Sequence, residues 1–140
     1  MTLPRPSLTL SLLQAREAVM AFFRPVLNAH SLTEQQWRVI RILHQHGVLE
    51  CHRLAELACI LAPSMSGVLK RLERDGMVTR RKSFADRRKV FFELTEQGGQ
   101  TFTELNGEMD VYYDRVLSRF GSEKTSLLIS LLEQMRDIKP

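Results

Sequence analysis

Residues 63–76 constrain the fold of this chain more than any other stretch of the sequence. One apolar stripe at helical spacing is formed by Met65, Val68, Leu69 and Leu72. Pro63 suits the first position of a helix, where its missing N–H costs nothing, and Gly76 suits the left-handed residue after the last turn. The pattern therefore predicts one short surface helix with a single buried face and both ends marked.

The opposite face of this helix is small where the helix begins and cationic further along. Its members are Ser64, Ser66, Gly67, Lys70, Arg71 and Arg74. Hydroxyl groups and a glycine allow a helix backbone to approach a partner closely, while the cations can meet phosphate groups. This face therefore favours a helix that enters a groove of DNA.

A charged segment joins two β-prone runs after the helix, residues 77–82 and residues 90–94. Between Arg80 and Lys89 there are six lysines or arginines and one acid, Asp86, which predicts a two-stranded hairpin with a basic tip. A charge run of this kind is equally compatible with a solvated loop, but a cationic helix beside it favours DNA contact. The acid repels phosphate, so we expect Asp86 to pair with Arg88 or another cation of the hairpin.

The rest of the chain predicts helices, with one very short strand over residues 48–50. A helix over residues 7–28 carries two adjoining apolar seams, which implies cover from a partner chain, and Pro25 should bend its last turn. Thr33 and Gln36 form a capping box for the next helix, which should end near residue 45. The remaining helices are expected over residues 52–59, from a Thr95 cap to about residue 119, and from a Ser122 cap to about residue 138.

The run from Asp86 to Thr95, Asp-Arg-Arg-Lys-Val-Phe-Phe-Glu-Leu-Thr, resembles the D-x-R wing signature of the MarR family of winged-helix regulators. This resemblance covers essentially the whole chain. It implies a mainly α fold with a small β-wing, in one domain over residues 1–140. The winged helix-turn-helix would span about residues 33–95, and dimerisation helices about residues 7–30 and 96–138. A narrower resemblance, in residues 12–18, 23–25, 32–38 and 58–61, is to repressors of homoprotocatechuate (4-hydroxyphenylacetate) catabolic operons.

The family resemblance implies a homodimeric repressor of a pseudo-palindromic operator in double-stranded DNA. Ser64, Ser66 and Gly67 would meet base edges, while Lys70, Arg71 and Arg74 would anchor phosphates. The basic tip, Arg87, Arg88 and Lys89, would lie at the adjoining minor groove, with Arg87 inserted. Release would follow binding of a small aromatic carboxylate such as 4-hydroxyphenylacetate or 3,4-dihydroxyphenylacetate.

Arg16 interrupts an otherwise apolar seam of the first helix, and a cation in such a place needs an anionic partner. One candidate is an acid such as Glu17, Glu50 or Glu104 of either subunit. The other is the carboxylate of the effector, which the family resemblance favours. The effector site would then comprise Arg16, Phe23, Trp37, Arg41 and Tyr112.

Other function classes find little support in the sequence. No nucleophile elbow, phosphate loop or H-E-x-x-H pair is present, so an enzyme acting on an aromatic acid is the less favoured class. The spacing of His44, His46, Cys51 and His52 predicts no metal site, and no cofactor is expected.

Two isolated cysteines and the absence of a long apolar run predict a cytoplasmic protein. We expect Cys59 to be a small buried residue of the third helix, with a thiol redox switch as the alternative. The net charge of +4 permits nucleic-acid binding, although the clustering of charge is the stronger indication.

Overall fold

The computed structural model describes residues 4–82, 85 and 88–140. Most of the described residues are helical, with three short strands. The elements in chain order are α1 (Leu8–Ala29), α2 (Glu34–His46), β1 (Leu49–Glu50), α3 (Cys51–Ala58), α4 (Ala62–Arg74), β2 (Val78–Lys82), β3 (Val90–Leu94), α5 (Glu96–Phe120) and α6 (Ser122–Arg136). The predicted fold class, mainly α with a small β-wing, is confirmed.

The ends of α2 follow from local chemistry, as the sequence predicts. Gln36 N donates to Thr33 Oγ1 at 3.1 Å, and Thr33 N donates to Gln36 Oε1 at 3.0 Å, which closes the capping box. At the other end Gly47 has a φ of 84°, and its N–H donates to the carbonyl of Leu43. A residue with a Cβ would be strained there.

The turn between α3 and α4 departs from expectation at Cys59. This residue lies outside α3 in the left-handed conformation, with a φ of 54°, and its side chain is exposed rather than buried. The turn instead brings Ile60 inward, where it is 6% exposed and donates its N–H to the carbonyl of Ala55. The prediction of a buried Cys59 is therefore wrong. Helical periodicity no longer applies after Ala58, where α3 ends.

The three strands form one antiparallel sheet in the order β1-β3-β2. Phe92 of β3 lies opposite Leu49 on one side and Arg80 on the other, and it is 4% exposed. The predicted hairpin and the predicted short strand before α3 are confirmed. Of the tip between β2 and β3, Asp86 and Arg87 lie outside the described residues, and so does the expected role of Asp86.

The chain divides into two compact units, Val26–Gly107 and a second that contains the described residues up to Pro25 with Glu108–Pro140. In Val26–Gly107 the apolar stripe of α4 is the centre of the core, because Met65, Val68, Leu69 and Leu72 are all at most 2% exposed. Around them pack Val39, Ile40, Leu43, Leu54 and Phe92. These residues come from α2, α3, α4 and β3.

The unit with the two chain ends contains the greater part of α1, the later part of α5 and all of α6. Many of its large apolar side chains are exposed, including Leu10, Leu13, Val111, Leu127 and Leu131. Gly121, not Ser122, occupies the capping position of α6, and no side chain caps that end. The predicted Ser122 cap is wrong, and Ser122 is the first helical residue instead. No helix in the described part of the chain is long and apolar enough to cross a membrane.

A set of hydrogen bonds and close contacts joins the end of α4, the predicted recognition helix, to the start of α5. The Thr95 hydroxyl donates to the carbonyl of Gly76 at 2.6 Å and accepts from Gly98 N at 3.0 Å, which confirms the predicted cap. Thr95 N also donates to the carbonyl of Met77 at 3.0 Å. A Cβ on Gly98 would lie only 2.1 Å from the Met77 carbonyl oxygen, so only glycine permits this approach. We call this set the Thr95 clasp.

Candidate nucleic-acid interface

The outward face of α4 carries every helix residue that the sequence predicts to contact DNA. Ser64, Ser66, Lys70, Arg71 and Arg74 are exposed, and Gly67 is half-buried. The opposite stripe of the same helix is fully packed, so rotation of the helix about its axis would expose apolar surface. Core packing therefore holds this polar and cationic face outward.

Two of the cations on this face have neighbours within the protein. A Cβ on Gly67 would lie 3.7 Å from Arg71 Nη2, so the guanidinium of Arg71 folds back over the glycine. Arg74 Nε donates to Asp75 Oδ1 at 3.1 Å. These arginine side chains are therefore partly oriented before any partner arrives. Lys70 differs in that its side chain lines a cleft at the base of the wing.

Arg80 of β2 is a part of this surface that sequence analysis assigned no role. Arg80 Nε donates to Glu73 Oε2 at 3.2 Å, and its guanidinium lies 5.6 Å from the centre of the Phe92 ring. One arginine thus ties the recognition helix to the wing sheet. On the same strand Arg81 lies 3.5 Å from Glu93. The alternation of side chains along β2 could have indicated that Arg80 and Arg81 point to opposite faces of the sheet. It could not have identified Glu73 and Glu93 as their partners, because no local pattern specifies pairs so far apart in the sequence.

The cleft beside these residues has a volume of about 280 Å³. It is lined by Cys51, Ser66, Leu69, Lys70, Arg80, Val90 and Phe92. Burial raises the pKa of the Cys51 thiol, although the positive charge of Arg80 opposes the shift. The thiol is therefore protonated at neutral pH and a poor nucleophile.

The wing tip is described only in part. Arg88 and Lys89 are exposed, as a phosphate-binding or groove-binding role requires. Arg87, the predicted minor-groove residue, lies outside the described residues. The basic tip therefore remains a prediction.

The residues predicted to bind an effector are divided between the two units. Arg16, Phe23 and Tyr112 belong to the unit with the chain ends, and Trp37 and Arg41 to Val26–Gly107. The side chain of Arg16 is 42% exposed, with Nη1 3.6 Å from Glu17 Oε1, and the other oxygen of this carboxylate accepts from Arg24 at 2.7 Å. Glu17 is therefore one anionic neighbour of Arg16, and an effector carboxylate remains a prediction.

The aromatic candidates differ in exposure. Trp37 is 9% exposed and stacks on Phe102, with ring centres 5.4 Å apart, and His44 stacks on the same ring at 3.9 Å. Tyr112 is half-buried beneath the guanidinium of Arg115, 4.7 Å from the ring centre, and Phe23 is also half-buried. Arg41 is exposed. Among the described residues no group of three or more His, Cys, Asp or Glu side chains is placed to hold a metal ion.

Residues 32–90, from two residues before α2 to the first residue of β3, match the model of the MarR family. The homoprotocatechuate degradative operon repressor of Escherichia coli is 45% identical over 128 residues, which is 91% of this chain and 86% of that protein. The chain belongs to the MarR family. As a MarR-family member it is a DNA-binding transcriptional regulator and not an enzyme, as the sequence predicts.

Two solved structures resemble this MarR-family chain along almost its entire length. A transcriptional regulator named PA4135 is 60% identical, with a TM-score of 0.95, and the match covers 97% of this chain and 100% of that one. The structure of NadR in complex with 4-hydroxyphenylacetate is 43% identical, with a TM-score of 0.88 and 99% coverage of both chains. The resemblance to repressors of homoprotocatechuate catabolic operons, expected from the sequence, is confirmed.

Proposed function

We propose that this MarR-family regulator is a homodimeric repressor of an aromatic-acid catabolic operon and that a small aromatic carboxylate releases it from DNA. The observation that carries the proposal is the outward face of α4, on which hydroxyls, a glycine and three cations are held outward by a packed opposite stripe. Such a helix can lie in a major groove without loss of core contacts. We also propose the cytoplasm as its location, since it must reach operator DNA.

The DNA contacts divide by chemistry along α4 and the wing. Ser64, Ser66 and Gly67 are proposed to face base edges, where small groups permit close approach. Lys70, Arg71 and Arg74 are proposed to bind phosphates, which supplies affinity without sequence information. Arg87, Arg88 and Lys89 are proposed to act at the adjoining minor groove.

The exposed apolar side chains of α1, α5 and α6 support the proposal of a homodimer. Leu13 is 56% exposed and Leu127 61% exposed, and other large apolar residues of these helices are exposed as well. Contiguous exposed apolar surface is unfavourable in water and is typical of a subunit interface. A symmetric pair of recognition helices would then require a pseudo-palindromic operator.

The effector is proposed to be 4-hydroxyphenylacetate or 3,4-dihydroxyphenylacetate, or a related aryl carboxylate. The similarity to NadR in complex with 4-hydroxyphenylacetate supports this chemical class. Arg16 is proposed to bind the carboxylate, because a planar guanidinium can hold two oxygens at once. Phe23, Trp37, Arg41 and Tyr112 are proposed to contact the remainder of the ligand.

An operator titration tests this function. Duplexes bound by the protein would be selected from a random pool, and binding to a selected duplex and to its scrambled form would be measured by fluorescence anisotropy. We expect preference for the selected duplex and release by both arylacetates. The matched control is 4-hydroxyphenylethanol, which keeps the ring and lacks the carboxylate.

Equal binding to both duplexes would contradict sequence-specific regulation. Release by the alcohol at the same concentration as by the acids would contradict recognition of a carboxylate. A reporter driven by the selected operator would then establish repression, since added arylacetate should raise its expression.

A further inference from the structure

Leu61 is the most exposed large apolar side chain that the structure describes, with 80% of its surface accessible. It immediately precedes α4 and lies in the DNA-binding unit, Val26–Gly107. The nearest large apolar residues before and after it in the sequence are buried, because Ile60 is 6% and Met65 is 0% exposed. An isolated exposed leucine is ordinary on a protein surface, so its position and setting decide whether it has a role.

The backbone holds this leucine in place. Leu61 is extended, with φ −63° and ψ 143°, and its carbonyl accepts the first hydrogen bond of α4, from Met65 N at 2.9 Å. The adjacent Ile60 N–H donates to Ala55 O at 3.1 Å. Because the flanking residues are anchored, the leucine side chain projects from a rigid point. A partner that contacts it would not have to order a mobile loop.

The residues that follow Leu61 in the sequence are uncharged as far as Val68 and Leu69. Ala62 and Pro63 are exposed beside it, the first turn of α4 carries no acid, and the first cation of the helix is Lys70. The exposed residues from Leu61 onward therefore change in character, from apolar before the helix and at its start, through the hydroxyls of Ser64 and Ser66, to the cations from Lys70 onward. In helix-turn-helix proteins the N-terminal residues of the recognition helix meet base edges, while cations meet the backbone. An apolar side chain in the major groove matches one group of the bases, the C5-methyl group of thymine.

We infer that Leu61 determines operator specificity by contacting the methyl group of one thymine in each half-site. This inference rests on the proposed entry of α4 into the major groove and adds a base preference that hydroxyls alone do not provide. The cationic zone supplies attraction to any DNA, and the apolar start discriminates between sequences. Removing either the leucine methyls or the thymine methyl should remove the same contact.

The test combines protein variants with DNA that lacks single methyl groups. Each thymine of a selected duplex is replaced in turn by deoxyuridine, which leaves base pairing intact and deletes only the methyl. The wild-type protein should bind about fourfold more weakly when the contacted methyl is absent, which corresponds to one buried methyl group. Leu61→Ala should bind the unmodified duplex more weakly and show no further loss at that thymine.

Two further variants keep the test decisive. Leu61→Met retains an apolar side chain of similar size and should recover the sensitivity to deoxyuridine at the same position. Val48→Ala shortens another exposed apolar residue of the unit Val26–Gly107 and should behave as the wild type. Thermal unfolding of Leu61→Ala should match that of the wild type, because the side chain is exposed and not part of the core.

The outcomes separate this inference from the proposed function. If the wild type prefers its selected duplex but deoxyuridine has the same effect on the wild type and on Leu61→Ala at every position, the leucine contact is wrong and regulation by α4 stands. If the wild type shows no preference for any duplex, the proposed function itself fails. If Leu61→Ala binds DNA as tightly as the wild type and retains every methyl effect, Leu61 has another partner, and the inference is overturned.

Discussion

The cations of α4 differ in how strongly the protein already engages them. Arg74 is bonded to Asp75 at 3.1 Å, and Arg71 lies over Gly67, while Lys70 faces the cleft at the base of the wing. The exposed Arg74–Asp75 ion pair adds little to stability, because water screens it. Under the proposed function, these contacts would orient the charges for phosphates. The cost of replacing one should therefore appear in DNA binding and not in folding.

Replacing Lys70 or Arg71 by Ala should weaken binding to all duplexes alike. Each lost phosphate contact should reduce the slope of log affinity against log salt by about one unit, hence about two for a dimer. Ser66→Ala is the control, since it should alter base preference and leave the slope unchanged. An unchanged slope in both cation variants would remove these residues from the interface.

At Arg16 the two candidate anions make different predictions. Arg16→Ala should keep operator affinity within a few-fold and lose the response to arylacetate, because α4 and the wing are unchanged. Arg16→Lys should recover little of that response, since an ammonium does not offer the planar fork of a guanidinium. The matched control is Glu17→Gln, which removes the neighbouring carboxylate and should keep the response. A normal ligand response of Arg16→Ala, with weaker subunit association, would make Arg16 a structural residue.

At the scale of elements, the Thr95 clasp connects the recognition helix to α5. Thr95 bonds both Gly76 and Gly98, and the backbone of α5 approaches the Met77 carbonyl too closely for any Cβ. These contacts therefore join the end of α4, the start of β2 and the first turn of α5 directly.

Two adjacent glycines of α5 provide a matched test of this clasp. Gly98→Ala places a Cβ 2.1 Å from the Met77 carbonyl oxygen, and the strain should exceed the gain of about 1 kcal/mol in helix propensity. Gly99→Ala meets nothing within 4 Å and should stabilise the protein by about 0.5–1 kcal/mol. Chemical unfolding of both variants measures the difference. Stabilisation by both substitutions would show that the Thr95 clasp can accept a Cβ at residue 98 without loss of stability.

At the scale of the whole molecule, apolar burial is unevenly distributed. The unit Val26–Gly107 has a continuous core, whereas the unit with the chain ends leaves leucines of α1 and α6 exposed. Six residues of α6 between Leu127 and Met135 belong to the exposed apolar set. A second copy of the chain is the proposed cover. Stability should therefore depend on the concentration of subunits.

The thermal midpoint of unfolding should rise with protein concentration, and sedimentation should show a dimer at micromolar concentration. Leu131→Glu should reduce association and the midpoint together, because it places a carboxylate in the apolar surface. Gln134→Glu makes the same charge change at a polar position of α6 and should have little effect. A folded wild-type monomer at micromolar concentration would contradict the proposed assembly.

Local patterns in the sequence were sufficient for the elements and for the outer face of α4. Periodicity separated its buried stripe from its cationic stripe, and the Thr33 capping box and Gly76 specified helix ends through contacts between near neighbours. The same local evidence indicated the hairpin and the Thr95 cap. These features depend on residues within a few positions of one another, so covalent order largely determines them.

Tertiary structure decided what depends on residues distant in the chain. Cys59 is exposed because a left-handed turn brings Ile60 inward. Arg80 contacts Glu73 and Phe92 because the wing packs against α4. The close approach of Gly98 to Met77 and the stacking of Trp37 on Phe102 likewise join separate elements. No periodicity encodes such pairs. They arise because close packing of a shared core selects one arrangement of helices and strands, and that arrangement decides which side chains meet.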